Sequence, residues 1–343
     1  MRQLQNTLYV MTQGSYLHLE RETLKLDIEK QTRLRVPMHH IGGVVLFGNV
    51  MVSPFALHRC AEDGRSVVML TEQGRFKARL EGPQSGNVLL RRAQHQLLDD
   101  EPRVLELIRA VLAGKLQNCR AVLLRGAREA ATEENVKRLK LAANSLAASL
   151  RALRKAASAD ALRGVEGQAG REYFNAFNAL LRCHQDAFAM CGRNRRPPRD
   201  RINALLSFLY ALLTNECVSA VESVGLDPQV GYLHVLRPGR PALALDLMEE
   251  FRPLLADRLA LTLINRQQIG VKDFEMRPGG AVQLSDGVRG TVLKAWQQRK
   301  QDEIQHKVLG QKVPIGLLPM LQARLLARFI RGESDCYEPF MPR

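Results

Sequence analysis

Six cysteines are present, Cys60, Cys119, Cys183, Cys191, Cys217 and Cys336, yet no two are spaced as CxxC. That excludes a zinc ribbon and argues against a disulfide framework. No run of about eighteen apolar residues occurs, so no membrane-spanning helix is expected. The N-terminus, MRQLQNTLYVMTQGSYLHLE, alternates like a strand and lacks the apolar core of a signal peptide. There is no P-loop, no GxGxxG after a strand, no HExxH and no GxSxG, which removes the common nucleotide, dinucleotide, zincin and hydrolase readings. Internal repeats and low-complexity tracts are also missing. Acidic residues are scarce relative to basic ones, 35 against 50, for a net charge of +15.

What remains is a packed globular composition, 45% hydrophobic and 25% charged over 343 residues, long enough for two ordinary domains. The basic excess favours a polyanionic partner, nucleic acid being the commonest. An anionic membrane surface fits less well, because no basic amphipathic segment stands apart from the folded pattern. The chain reads as cytoplasmic.

Two textures divide it. Up to about Leu80 the pattern is short and turn-punctuated: LYVMT, YLHLE, TLKLDI and RLRVP are strand-length, IGGVVLFG reads as a buried strand and RSVVML as another. Between those two, SPFALHRCAEDG predicts a short helix with Ser53 as N-cap and Pro54 at its first position. The His39-His40 pair has no carboxylate or cysteine at ligand spacing and marks the entry into IGGVVLF. After Asn87 the spacing is helical, over Leu89–Leu98, Val104–Gln117 and Glu134–Ala157, with one β-excursion at DFEMRPGGAVQLS turning at Pro278-Gly279-Gly280. Lys137, Arg138, Lys140, Arg151, Arg154 and Lys155 stud the third helix, a solvated basic face or a DNA-facing one.

The segment GYLHVLRPGRPALALDLMEEFRP carries the most chemistry. His234 precedes a Pro/Gly turn, and Asp246 and Glu249, at i and i+3, project from one side of the helix that follows. Leu247, Phe251 and Leu254 form its inward stripe. Two nearby carboxylates repel unless a cation or proton sits between them. Histidine with carboxylates suits a divalent cation that prefers oxygen yet accepts imidazole, Mg²⁺ or Mn²⁺. In so basic a chain that points to phosphodiester chemistry. The competing reading is a core histidine beside a solvated acidic face, since Glu250 and Asp257 share the helix, and spacing does not choose between Glu249 and Glu250. Upstream, Glu166 follows Gly164 at what reads as a helix start, where a carboxylate also suits the macrodipole.

In GRNRRPPRDRINALLSFLYALL, Arg193, Arg195, Arg196, Arg199 and Arg201 crowd a Pro-Pro break before a helix that Asp200 caps. Arginines on the lip of a helix N-terminus suit phosphate, or form a solvated loop. Asn203, Ser207 and Tyr210 make one polar line on that apolar helix.

Together these segments resemble the CRISPR-associated integrase family, the universal adaptation nuclease that inserts new spacers into CRISPR arrays. The similarity runs through PMHHIGGVVLFGNVMVSPFALHRCAEDG, EGQAGREYFNAF, RRPPRDRINALLSFLYALL, GYLHVLRPGRPALALDLMEEFRP and DFEMRPGG to the closing YEPF. Length and shape look most like the member of subtype I-C systems. The resemblance implies an α+β protein, with a β-rich dimerisation domain over 1–86 and an all-α catalytic domain over 87–343. It implies Glu166, His234 and Glu249 as catalytic metal ligands, with Asp246 as a supporting carboxylate. Many members carry Asp where this chain has Glu249. Two homodimers bridged by a small adaptation partner subunit, holding double-stranded prespacer DNA at the CRISPR repeat, are the implied assembly. The expected reaction is attack of a prespacer 3′-OH on a phosphodiester at the repeat boundary, with Arg193, Arg195, Arg196 and Arg199 on the DNA backbone. The alternatives are a branched-DNA repair nuclease and a basic DNA-binding scaffold without catalysis.

Overall fold

Strand propensity in the first eighty residues is realised in order: β1 (Asn6–Val10), β2 (Tyr16–Glu20), β3 (Thr23–Ile28), β4 (Gln31–Pro37), β5 (Ile41–Phe47), β6 (Met51–Val52), helix α1 (Pro54–Glu62), β7 (Ser66–Leu70) and β8 (Phe76–Leu80). In this computed structural model, which describes residues 4–82, 88–183, 186–194 and 197–342, they form two four-stranded sheets ordered β1-β5-β7-β8 and β4-β3-β2-β6. β5 lies between parallel partners β1 and β7, which is why its sequence is almost continuously apolar. β2, β3 and β4 are antiparallel and alternate, sending Leu17, Leu24 and Leu26 into a core with Val44, Leu46 and Val67. α1 starts as its sequence predicts: Ser53 Oγ accepts from Ala56 N at 3.2 Å, with Pro54 in the first turn.

The chain divides into two compact units, Met1–Gly86 and Asn87–Arg343. The second is built from α2 (Val88–Leu97), α3 (Glu101–Glu129), α4 (Glu133–Lys155), α5 (Ala159–Asn175), α6 (Arg201–Ser223), α7 (Ala242–Met248), α8 (Arg258–Asn265), α9 (Asp286–Gln301) and α10 (Leu318–Ile330). Two small hairpins interrupt the helices. β9 (Phe274–Met276) pairs with β10 (Val282–Leu284), and Gly279 and Gly280 turn between them at φ of 86° and 77°, a region open to glycine. β11 (Glu303–His306) pairs with β12 (Gln311–Pro314); four-residue strands beside a charged helix carry too little alternation to be read from sequence.

α5 begins earlier than its sequence suggests. Ser158 Oγ accepts from Ala161 N and caps it, so Gly164 is passed through and Glu166 sits mid-helix. The macrodipole argument for a carboxylate at a helix start therefore does not apply to Glu166. Below α7 the chain widens into one π-helical stretch, Arg252–Asp257. Pro253 has no N–H for a regular helical bond, and such widened turns recur at functional sites.

By length and composition α6 is long and apolar enough to cross a membrane. Its hydropathy has a different cause, because Leu205, Leu206, Leu209 and Leu213 are fully buried inside the helical unit. Asp200 caps it, accepting from Asn203 N at 2.7 Å.

Candidate active site

The site is assembled from α3, α5, α7 and the segment before α7. Gly231 opens that segment. A Cβ there would stand 2.5 Å from the carbonyl carbon of Ala242 and 2.7 Å from Leu243 N, so glycine alone lets the strand-like approach lie against the start of α7. This contact brings the 232–234 backbone over Asp246. Asp246 Oδ2 accepts from Tyr232 N at 2.6 Å and Leu233 N at 3.0 Å, and Oδ1 accepts from His234 N at 2.9 Å. The same Oδ1 is 2.7 Å from His234 Nδ1. An ionised carboxylate only accepts, so Nδ1 donates in this contact and Nε2 is turned toward the site.

His234 Nε2 faces Glu249 Oε1 at 3.8 Å. Glu249 ends α7 as its C-cap and is 2% exposed. Burial raises its carboxyl, but Arg252, 2.9 Å from Oε1, and Lys115, 2.7 Å from Oε2, outweigh this and bring it down to about 2. Lys115, from α3, also pairs with Glu166 across the gap. Burial pushes the Lys115 ammonium down, and Glu249 and Glu166 together hold it above the ordinary lysine value.

Two of the carboxylates named from sequence thus converge on one cationic atom, and the histidine stands beside one of them. Among the described residues, no three His, Cys, Asp or Glu side chains close at metal-holding distance. Lys115 Nζ fills the gap, as two carboxylates without a cation would repel. Lys115 was not anticipated from the sequence. Its signal was present, since it lies on the buried stripe of α3 with Leu112, Leu116 and Cys119, where an unpaired lysine is costly.

The ambiguity between adjacent glutamates is resolved by direction. Glu250 points away from His234 into the core, accepting from Tyr337 OH at 2.5 Å, Phe340 N at 2.6 Å and Gln322 Nε2 at 3.1 Å. It anchors the closing YEPF segment, and Asn118 Nδ2 ties both ends by donating to Glu250 O and Phe340 O. Asp257 accepts from Tyr210 OH at 2.7 Å and Tyr173 OH at 2.9 Å. Asp246, Glu249, Glu250 and Asp257 are all buried, so the solvated acidic face considered from sequence does not exist.

Burial lifts the Glu250 carboxyl to about 7 and that of Asp257 to about 6, against the donors bonded to each. A raised carboxyl binds its proton more tightly in the folded state, so the contribution of these two groups to stability is fully present below the ordinary carboxyl range and is lost as pH rises through the folded value. Melting temperature should therefore decline between pH 5 and 8. Glu250→Gln should flatten part of that decline, and parallel profiles for the two proteins would contradict the assignment.

The arginine segment is not uniformly outward. Arg193 turns inward: Nη1 donates to Asn194 O at 2.6 Å and Asn203 Oδ1 at 2.5 Å, and Nη2 to Ser207 Oγ at 3.3 Å. Its guanidinium also stands 5.2 Å from the centre of the Tyr210 ring. The polar line on α6 is thus the ladder that holds Arg193. Arg199 is exposed, Arg201 donates to Ala187 O at 2.7 Å, and Arg195 and Arg196 lie outside the described residues. On α4, Lys137, Arg138, Lys140, Arg151, Arg154 and Lys155 are all exposed.

The family model described as CRISPR associated protein Cas1 matches residues 8–298. The "CRISPR-associated endonuclease Cas1 1" of Moorella thermoacetica is 54% identical over 340 residues, covering 99% of each chain. Its Chlorobaculum tepidum namesake is 47% identical over 98% of each. Among solved structures, a Cas1 protein from Thermotoga maritima superposes with a TM-score of 0.81 at 22% identity, over 98% of this chain and 100% of that one. A casposase bound to integration product gives 0.82 at 21%, over 97% and 93%. A Cas6-RT-Cas1–Cas2 complex gives 0.81 at 24%, over 98% of this chain and 36% of that one. The structures, at those identities, speak for the β-rich and helical fold alone. The family match and the sequence relatives go further: this chain belongs to the Cas1 family of CRISPR-associated endonucleases.

Proposed function

We propose that this chain is a divalent-metal-dependent DNA integrase/endonuclease of CRISPR adaptation, joining prespacer 3′-OH ends to the repeat boundary. The observation that carries the reading is the convergence of Glu166 and Glu249 on a single cation, Lys115 Nζ, with His234 Nε2 beside Glu249. The donor set, two carboxylates and one imidazole, fits Mg²⁺ or Mn²⁺, and Glu166, His234 and Glu249 are the residues proposed to hold it. When bound, such an ion polarises a phosphoryl oxygen and lowers the pKa of an attacking hydroxyl.

The chain's own residues do the rest. Asp246 fixes the imidazole so that Nε2 faces the site. Arg252 and Lys115 supply positive charge beside the pentavalent phosphate. In the reaction a P–O bond forms to the prespacer 3′ oxygen and the bond to the repeat 3′ oxygen breaks. The attacking hydroxyl loses its proton and the leaving oxygen gains one. One phosphodiester replaces another, so no covalent enzyme intermediate is required. Water in place of the hydroxyl gives plain endonuclease cleavage.

The proposed assembly is a homodimer formed through the N-terminal unit, two copies bridged by a small partner of the Cas2 kind; the solved complex named above also unites Cas1 with Cas2. Arg195, Arg196 and Arg199 would track the backbone, making binding steeply salt-dependent, whereas Arg193, expected among them from sequence, is held inward by Asn203 and Ser207. Membership of a subtype I-C system and a cytoplasmic setting complete the reading.

The test is strand transfer from a labelled duplex with free 3′-OH ends into a supercoiled plasmid bearing the repeat, with and without the partner, in Mn²⁺ and in EDTA. Metal-dependent joining at the repeat edge, lost in His234→Ala, is expected. Branched-DNA cutting without joining would favour a repair nuclease, and tight binding with neither activity a scaffold.

A second result is expected without substrate. Lys115→Met leaves Glu166 and Glu249 without their cation, so the metal-free protein should melt lower. Added Mn²⁺ should then raise its melting temperature by more than it raises wild type. An equal or smaller Mn²⁺ shift would remove Glu166 and Glu249 as shared ligands.

A further inference from the structure

Gln94 is a fully buried amide on α2, set between Leu90 and Leu97 on the face turned into the core. The reaction just described does not use it. A buried amide needs hydrogen-bond partners, and this one finds them on a single loop. Nε2 donates to Asp227 O and to Val230 O, each at 2.9 Å, and Oε1 accepts from Asp227 N at 2.9 Å. Both amide hydrogens are thereby engaged. Just beyond the loop, Tyr232 returns the contact, its hydroxyl donating to Gln94 O at 3.0 Å.

That loop is bonded to the site at both ends. Pro228 O accepts from Leu243 N at 2.9 Å and Ala244 N at 3.4 Å. No side chain caps α7, so this carbonyl satisfies N–H groups that a helix start leaves open. Past Gly231 and Tyr232 the chain reaches His234, whose backbone and ring are held by Asp246 of α7. Loop, His234 and α7 are thus tied into one body, which sets His234 against Glu249. Those bonds leave open where the body stands relative to Glu166 on α5 and Lys115 on α3. Arg163 of α5 gives one outside anchor, Nε donating to Leu233 O at 2.9 Å, but it is partly exposed and shared with Asp160. Gln94 gives three from a buried side chain, and α2 packs on α3, the helix that carries Lys115.

We propose that Gln94 is a positioning residue of the metal centre, registering His234 and Glu249 against Glu166 through the 227–230 loop. This rests on the integrase reading above. The side-chain partners of Gln94 are backbone atoms. Its loss therefore alters where His234 stands and leaves the charge of the centre as it is.

The test compares wild type with Gln94→Met, which keeps the length of the side chain without its amide bonds, and with Tyr232→Phe, which removes the hydroxyl bond alone. Leu293→Ala, buried on α9 and so on none of the helices that build the site, controls for stability lost elsewhere in the unit. Two readouts are taken well below each melting temperature. One is the imidazole proton and carbon resonances of His234 in metal-free protein, assigned by their loss in His234→Gln. The other is Mn²⁺ affinity by electron paramagnetic resonance. Wild type and Leu293→Ala should give one sharp set of resonances. Gln94→Met should give a broadened or doubled set and bind Mn²⁺ about tenfold more weakly, with strand-transfer kcat lowered and KM for DNA unchanged. Tyr232→Phe should fall between, and it carries the comparison if Gln94→Met does not fold. Wild-type resonances in both variants overturn the proposal. The same broadening and Mn²⁺ loss in Leu293→Ala also overturn it, because the effect is then general destabilisation. Normal Mn²⁺ binding and joining by Gln94→Met remove Gln94 and leave the integrase reading. Broadened His234 resonances in Gln94→Met, with no Mn²⁺ bound and no DNA joined even by wild type, keep Gln94 as the residue that positions His234 and remove the integrase reading.

Discussion

Glu249→Gln should lower strand transfer by about 10³-fold, whereas Glu250→Gln, one residue away, should retain turnover within an order of magnitude. The contrast follows from direction. The Glu249 carboxylate faces Lys115, Arg252 and His234, and its charge is the property the site uses. Glutamine preserves its shape and removes that charge. It also strips a buried guanidinium of its partner, which costs about 3 kcal/mol. For a unit of this size that is a fall of roughly 6–12 °C in melting temperature. Glu250 faces Tyr337, Gln322 and Phe340 instead, so its substitution loosens the closing segment and leaves the reacting groups in place. Comparable turnover losses in the two variants, each assayed well below its melting temperature, would count against this division of roles.

Asp246→Ala carries the largest expected cost in stability. One carboxylate satisfies three consecutive backbone N–H groups and the His234 ring, and it is 4% exposed. Alanine leaves those buried donors without an acceptor, at about 1–3 kcal/mol each where water does not enter. A loss of about 4 kcal/mol is expected, or roughly 8–16 °C in melting temperature. Turnover should fall as well, because the imidazole loses the bond that orients it. Asp246→Asn discriminates the two effects. Its remaining oxygen still accepts from part of the backbone, so stability should recover more than activity. Full recovery of both would show that the charge on Asp246 is unnecessary.

Local signals fixed much of the architecture. Ser53-Pro54 and Asp200 start helices where they stand, IGGVVLF is buried because its length and apolarity suit a strand with two neighbours, and Pro278-Gly279-Gly280 turns a hairpin. The switch from period-two to helical patterning gave the β-rich and helical halves. Histidine and carboxylate spacing in GYLHVLRPGRPALALDLMEE pointed to the region of the site. Most of these rest on signals within a few residues, the neighbours of IGGVVLF coming from farther along the chain.

What the sequence could not decide are contacts across long separations. Lys115 is 51 positions before Glu166 and 134 before Glu249, and only the packing of α3 against α5 and the end of α7 turns a lysine on an apolar stripe into their shared cation. The fates of Glu249 and Glu250 depend on the closing segment, some 90 residues on, which claims one and leaves the other to the site. Arg193 turned inward because α6 offered Asn203 and Ser207, a choice that composition cannot encode. Periodicity assigns a residue to a face. Which buried partner meets that face is set by tertiary packing, because a buried charge takes the geometry that satisfies it.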